Sequence, residues 1–356
     1  MEKCNKMDIE DNTPKRVEII KKNRNVIPLD EEKENTNSKK LNKRKLKNIK
    51  SSSELSCSTS TTHSNTTASM DKSSSFQKES GIKSCSKSDI EKERENNPTS
   101  IEYLDEIYTN LINDEKILKL AINKDYMSEQ KDINKQMRAI LIDWIIEVHN
   151  CFHLKNKTLF QVVYIIDLYL SHKIIQRINF QLLGVACLLI AFKSNEVYCP
   201  SLQQFIDITN GAYTKPKLLE MEKDVLKTLN FEILFPTAEE FYSIISKSYN
   251  FTEVQNNLGY YFLDSSLIDY ELLKYKPSTI GVACAYIVMK FFRLNGYKDL
   301  YSSKMVNENS PQKTIKDCAK ELCFLVKNLS MSNLKSVKTK YSSAKYNNVA
   351  SICDEK

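Results

Sequence analysis

Met137-Arg138-Ala139-Ile140-Leu141-Ile142-Asp143-Trp144-Ile145-Ile146-Glu147-Val148 is the stretch that decides the fold. It holds the only Trp of the chain. Met137, Ile140, Leu141 and Trp144 recur at i, i+3, i+4 and i+7, one stripe of a helix. Ala139, Ile142, Ile146 and Val148 add apolar surface on its other sides. Such a helix is either largely enclosed or buries a second face against a partner.

Working outward, the apolar residues are unevenly spread. They make up 41% of 356 residues, yet the first hundred positions are mostly Lys, Asn, Ser, Thr and Glu. Residues 1–98 therefore read as a disordered tail with too little to bury. With 6 Gly and 8 Pro, turn-makers are scarce, which argues for an all-α protein. The net charge is +7, and much of it falls in the tail run Lys39-Lys40-Leu41-Asn42-Lys43-Arg44-Lys45-Leu46-Lys47. The folded part is not a basic body, so a general nucleic-acid role is not expected. Ten Cys contain no C-x-x-C pair, against a zinc ribbon. Cys187 and Cys284 sit in apolar runs as small core residues. The charged start is no secretory signal, so reduced thiols inside the cell are expected. The longest apolar run, Leu182 to Phe192, is too short for a bilayer, which needs about 20 residues.

The folded part opens near Ser100, placed to cap a helix with Ile101, Leu104, Ile107, Tyr108 and Leu111. Helical segments are predicted at 134–152, 158–172, 178–194, 201–208, 215–229, 237–248, 254–271, 277–293, 310–329 and 333–342. Thr237 and Ser278 stand at N-cap or first-turn positions. A repeat is visible: Gly184-Val185-Ala186-Cys187 recurs as Gly281-Val282-Ala283-Cys284, an offset of 97 (281 − 184). In the same register Asp167 meets Asp264, Leu170 meets Leu267, Ile190 meets Ile287, Lys193 meets Lys290 and Trp144 meets Phe241. Two stacked helical repeats are expected, each around a central helix whose small residues admit close neighbours.

The opening stretch, with Ile165-Ile166-Asp167, Gln181-Leu182-Leu183-Gly184-Val185-Ala186, Ala191-Phe192-Lys193-Ser194-Asn195-Glu196-Val197-Tyr198-Cys199-Pro200, Ala212-Tyr213-Thr214-Lys215 and Met221-Glu222, resembles the cyclin box of mitotic A/B-type cyclins, B-type favoured. The resemblance runs from about residue 100 to 346. It implies two tandem five-helix repeats after an N-terminal helix, divided as tail 1–98, N-terminal helix plus first repeat 99–234, second repeat 235–346 and C-terminal tail 347–356.

The resemblance implies a regulatory subunit that performs no chemistry and needs no cofactor or metal. Its partner is the catalytic subunit of a cyclin-dependent Ser/Thr kinase, and its setting is mitotic cell-cycle control in nucleus and cytoplasm. Five family positions are present: Arg138, Asp167, Leu182, Lys193 and Glu222. Arg138 and Asp167 are implied as an internal ion pair, which a buried Arg requires. Lys193 and Glu222 are implied to bond the backbone of the kinase's regulatory helix, with apolar contact from Ile107, Ile190, Leu226, Phe231 and Ile233. Two departures are Ser194, where the family has an aromatic, and Asn195, where it has Glu. A docking groove for Arg-x-Leu segments of substrates and inhibitors is implied at Met137, Ile140, Leu141 and Trp144 with Phe180 and Gln181, Glu147 at its rim.

In the tail, Lys33-Glu34-Asn35 has the form of a degron read by the anaphase-promoting ubiquitin ligase. Lys39 to Lys47 fits a nuclear localisation signal or a solvated charge run. Thr13-Pro14 and Ser310-Pro311 fit proline-directed phosphorylation. Other readings remain. His149 and His153 have metal-ligand spacing, but residue 150 is Asn, where a zincin has Glu, and no phosphate loop or Ser/His/Asp set accompanies them. A transcription-type cyclin, or a cyclin-fold transcription adaptor, is the alternative; the adaptor would need a zinc ribbon and basic repeats. Neither nucleic acid nor membrane is expected as a partner.

Overall fold

Among its described residues the computed structural model has twelve α-helices, and those of the two repeats follow the spacing of the duplication. It describes residues 103–117, 122–197, 199–296, 300 and 311–354, which belong to one compact unit. A first helix, α1 (Leu104–Ile117), precedes α2 (Lys135–Phe152), α3 (Asn156–Leu170), α4 (Arg177–Asn195), α5 (Leu202–Asp207) and α6 (Lys215–Thr228). Then come α7 (Ala238–Ser248), α8 (Glu253–Ile268), α9 (Pro277–Phe291) and α10 (Gln312–Ser330), followed by the short α11 (Ser336–Tyr341) and α12 (Val349–Asp354). Among the described residues there is no strand. At the offset of 97, the starts of α3 and α6, Asn156 and Lys215, fall on the starts of α8 and α10, Glu253 and Gln312. The counterpart of α5 falls at 299–304, almost all outside the described residues.

Local chemistry explains the helix starts. Asn134 caps α2 by accepting from the Met137 N–H at 2.9 Å. Thr237 and Glu240 form a capping box at α7, and Thr252 and Gln255 another at α8, each satisfying amides that a helix start leaves unpaired. Pro277 opens α9, where its missing N–H costs nothing. Next to it, the Ser278 N–H and Oγ donate to the Glu115 carboxylate of α1 at 2.9 and 2.7 Å. The segment predicted as one helix over 254–271 breaks at Asp269, whose Oδ1 accepts from the Glu271 N–H at 3.0 Å and starts a 3₁₀ turn, Tyr270–Lys274. The stretch 347–356, read from the sequence as a tail, holds α12 with Val349 and Ala350 buried.

Packing repeats in the same register. A Cβ on Gly184 would stand 3.0 Å from a Leu141 methyl and 3.4 Å from one of Ile145; a Cβ on Gly281 would meet the Ala238 carbonyl at 2.8 Å and Phe241 at 2.9 Å. Leu141 and Ala238 are themselves 97 apart. The small residues thus seat α2 on α4 and α7 on α9. By length and composition α4 is apolar enough to cross a membrane, beyond what its run Leu182 to Phe192 predicted. That run is buried throughout by its neighbours, the character of a core helix.

Candidate protein-interaction site

Each repeat is pinned by a buried carboxylate. Arg138 donates from Nε and Nη2 to the two oxygens of Asp167, both at 2.7 Å, and both residues are about 1% exposed. Tyr126 donates its hydroxyl to the same carboxylate at 2.8 Å. The remaining Arg138 nitrogen reaches the Leu267 and Ile268 carbonyls of α8 at 3.0 and 3.3 Å, so one side chain ties the repeats together. Burial opposes the Arg138 charge, and Asp167 outweighs it, holding the guanidinium above its ordinary pKa. Asp264, the register-mate of Asp167, accepts from Lys340 at 2.7 Å and from Tyr341 at 2.9 Å. Both donors come from α11, more than 70 positions away, and this network was not legible in the sequence. His149 lies close to it. Burial first, and the nearby Lys340 charge second, push its pKa down to about 4.

One face differs in character. Lys193, in the last turn of α4, meets Glu222 of α6 at 2.6 Å, with 49% of the Lys side chain exposed against 11% of the Glu. A half-exposed pair of this kind adds little stability. Of the apolar residues assigned to the same site, Ile190 is buried, Leu226 and Ile233 are half-buried, and Ile107 and Phe231 are exposed at 38% and 68%. A cleft of about 570 Å³ between α1 and the segment joining the repeats brings Leu111 and Ile117 to Phe231, Ile233 and Leu234. Ile107 stands one helical turn before Leu111 on α1. Ile117 and Leu234 are exposed at 71% and 70%; no spacing in the sequence marked them. The segment's backbone is unusual, with Asn230 at φ 50° and Phe231 at φ 61°, left-handed values that are rare for an aromatic.

The stripe on α2 divides. Met137, Ile140 and Trp144 are half-buried, as are Glu147 and Gln181, whereas Leu141 and Phe180 are core at 2% and 0%. Leu141 turns inward because Gly184 leaves room for it. The stripe therefore offers three partly open apolar side chains on α2, with Gln181 on the neighbouring α4. Lys33, Glu34, Asn35, Thr13 and Ser310 lie outside the described residues. Ser194 is exposed, and Asn195 donates to Gln161.

Two family models match, end to end: "Cyclin, N-terminal domain" over residues 106–234 and "Cyclin, C-terminal domain" over 236–355. Cyclin-B2-1 of Oryza sativa subsp. japonica is 40% identical over 199 residues, 56% of this chain and 47% of that protein. The chain thus spans about half the length of this relative. G2/mitotic-specific cyclin-B of Hydra vulgaris is 34% identical over 268 residues, 74% of this chain and 72% of that protein. In solved structures, a viral cyclin from herpesvirus saimiri shares the fold, with a TM-score of 0.51 at 21% identity, covering 61% of this chain and 97% of that one.

Proposed function

The chain belongs to the cyclin family, and from that premise we propose that it is the regulatory subunit of a cyclin-dependent Ser/Thr kinase acting in mitosis. The observation that carries this reading is the face just described. Lys193 stays half-exposed on its ion pair with the largely buried Glu222, and Phe231, Ile107 and Leu234 are large apolar groups left in water. Folding gains nothing from that arrangement, whereas a partner helix would bury it.

The chain itself performs no chemistry. A kinase needs its β3 Lys paired with the Glu of its regulatory helix to hold ATP. Contact from Phe231, Ile233, Leu226 and Ile107, with Lys193 and Glu222 bonding the helix backbone, favours the conformation in which that pair is made. Activation is limited by the difference in affinity for the kinase's two states. Met137, Ile140 and Trp144 give an apolar floor for the Leu of an Arg-x-Leu segment, and Glu147 supplies an acceptor for its Arg. Docking there raises the local concentration of substrate. Lys33-Glu34-Asn35 would deliver the chain to the anaphase-promoting ubiquitin ligase, ending activity by proteolysis in nucleus and cytoplasm.

The test is reconstitution with the principal cyclin-dependent kinase of the same organism, reading phosphorylation of a Ser-Pro-x-Lys peptide with and without an Arg-x-Leu extension. Activation by the chain, with a lower KM for the extended peptide that Trp144→Ala removes, is the expected result. No activation by folded protein would move the transcription-adaptor reading to the front.

A further inference from the structure

We propose that Asn195 and Gln161 are positioning residues for the kinase-facing segment Phe231–Ile233, setting the exposed Phe231 ring before any partner arrives; this rests on the reading that this face receives a kinase helix. Gln161 lies on α3 and is 3% exposed. A buried amide must have both its ends matched. Its Nε2 donates to the Ile233 carbonyl at 2.9 Å, and its Oε1 accepts from Asn195 Nδ2. Three separate elements are thus joined in line: the end of α4, the middle of α3 and the segment between the repeats.

The order of donors and acceptors is fixed. The Ile233 carbonyl can only accept, which turns the Gln161 amide so that its oxygen faces residue 195. Residue 195 must then donate. An Asn does so; a carboxylate cannot. Asn195 is anchored in turn, because Lys155 Nζ donates to its carbonyl at 2.8 Å.

What the relay holds is a strained piece of backbone. Asn230 and Phe231 are both left-handed, and a ring 68% exposed gains little from burial to offset that cost. Such strain persists where the surroundings over-determine it. Phe231 N–H donates to the Leu226 carbonyl at 2.9 Å and Ile233 N–H to the Phe231 carbonyl at 3.1 Å; the Gln161 bond closes the segment from the far side. A ring already fixed in its binding geometry loses less freedom when a partner covers it. The two polar residues therefore hold the segment in place before a partner covers it.

The experiment measures affinity of the full chain for the kinase in wild type, Asn195→Ala, Asn195→Asp, Phe231→Ala and Asn195→Ala/Phe231→Ala, each checked for helical content and Tm. Asn195→Ala and the near-isosteric Asn195→Asp should each weaken binding about tenfold, equivalent to about 1.4 kcal/mol. In the Phe231→Ala background, Asn195→Ala should add nothing, since its effect runs through that ring. Faster hydrogen exchange at the Phe231 and Ile233 amides of the unbound Asn195→Ala chain is the accompanying sign. Asn195 variants that bind like wild type while Phe231→Ala binds weakly overturn the positioning role alone. An Asn195→Ala loss of equal size with and without Phe231 does so too, showing direct contact. If Phe231→Ala binds as tightly as wild type, or the wild-type chain does not bind the kinase, the assignment of this face is wrong and the proposal falls with it.

Discussion

Replacing Arg138 with Met removes four hydrogen bonds, two to Asp167 and two to the Leu267 and Ile268 carbonyls. Asp167 then stays buried at 1% exposure with Tyr126 as the remaining side-chain donor. Breaking a buried pair from one side costs about 3–5 kcal/mol, mostly because the other charge is left uncompensated. For a folded part of this size that corresponds to a fall in Tm of roughly 6–20 °C. If the isolated charge is the main cost, Arg138→Met/Asp167→Asn should regain most of the loss, because Asn removes the charge and keeps an acceptor for Tyr126. Urea unfolding of wild type, single and double variants measures both. A single variant costing under about 1 kcal/mol, or a double variant no more stable than the single, would refute the account of how the repeats are pinned.

The remaining predictions concern packing and pH. Gly281→Ala should destabilise by about 1–3 kcal/mol, because its Cβ would meet the backbone carbonyl of Ala238, which cannot yield as a side chain does. Gly184→Ala should cost less, its nearest neighbour being a Leu141 methyl; thermal melts of the two variants give the order. His149 has a folded pKa of about 4, below its unfolded value of about 6.5, so between these pH values the unfolded chain binds the extra proton. Its contribution is complete above about pH 6.5 and is lost progressively as pH falls, by about 3 kcal/mol at pH 4. His149→Gln should flatten that part of the stability–pH curve, and an unchanged slope would rule the histidine out as its source.

Helices and duplication were readable in advance because they rest on local spacing. The 97-residue offset is visible in Gly184 and Gly281, and the structure shows why: each lets a neighbouring helix approach, up to the Leu141 methyl at Gly184 and up to the Ala238 backbone carbonyl at Gly281. The break at Asp269 was missed because its cause is one side-chain cap inside an otherwise helical pattern. Partners far apart in sequence were not legible. Asp264 matches Asp167 in register, yet nothing near it in the sequence names Lys340 or Tyr341. Asn195 read as a departure from the family pattern, since its partner Gln161 lies 34 positions away on another helix. The α2 stripe is legible as a period but not as a surface; Leu141 shares the spacing of Met137, Ile140 and Trp144 and yet is core.

We propose that the Lys193–Glu222 face receives the kinase. The most direct test is titration calorimetry of the full chain against the kinase, comparing wild type with Lys193→Ala/Glu222→Ala. The variant removes both members of the pair, so neither charge is left buried without its partner, and helical content should be kept. Binding weakened by about a hundredfold or more in a folded variant, roughly the loss of two charge-assisted hydrogen bonds, is the predicted result. Wild-type affinity in that folded variant would contradict the account.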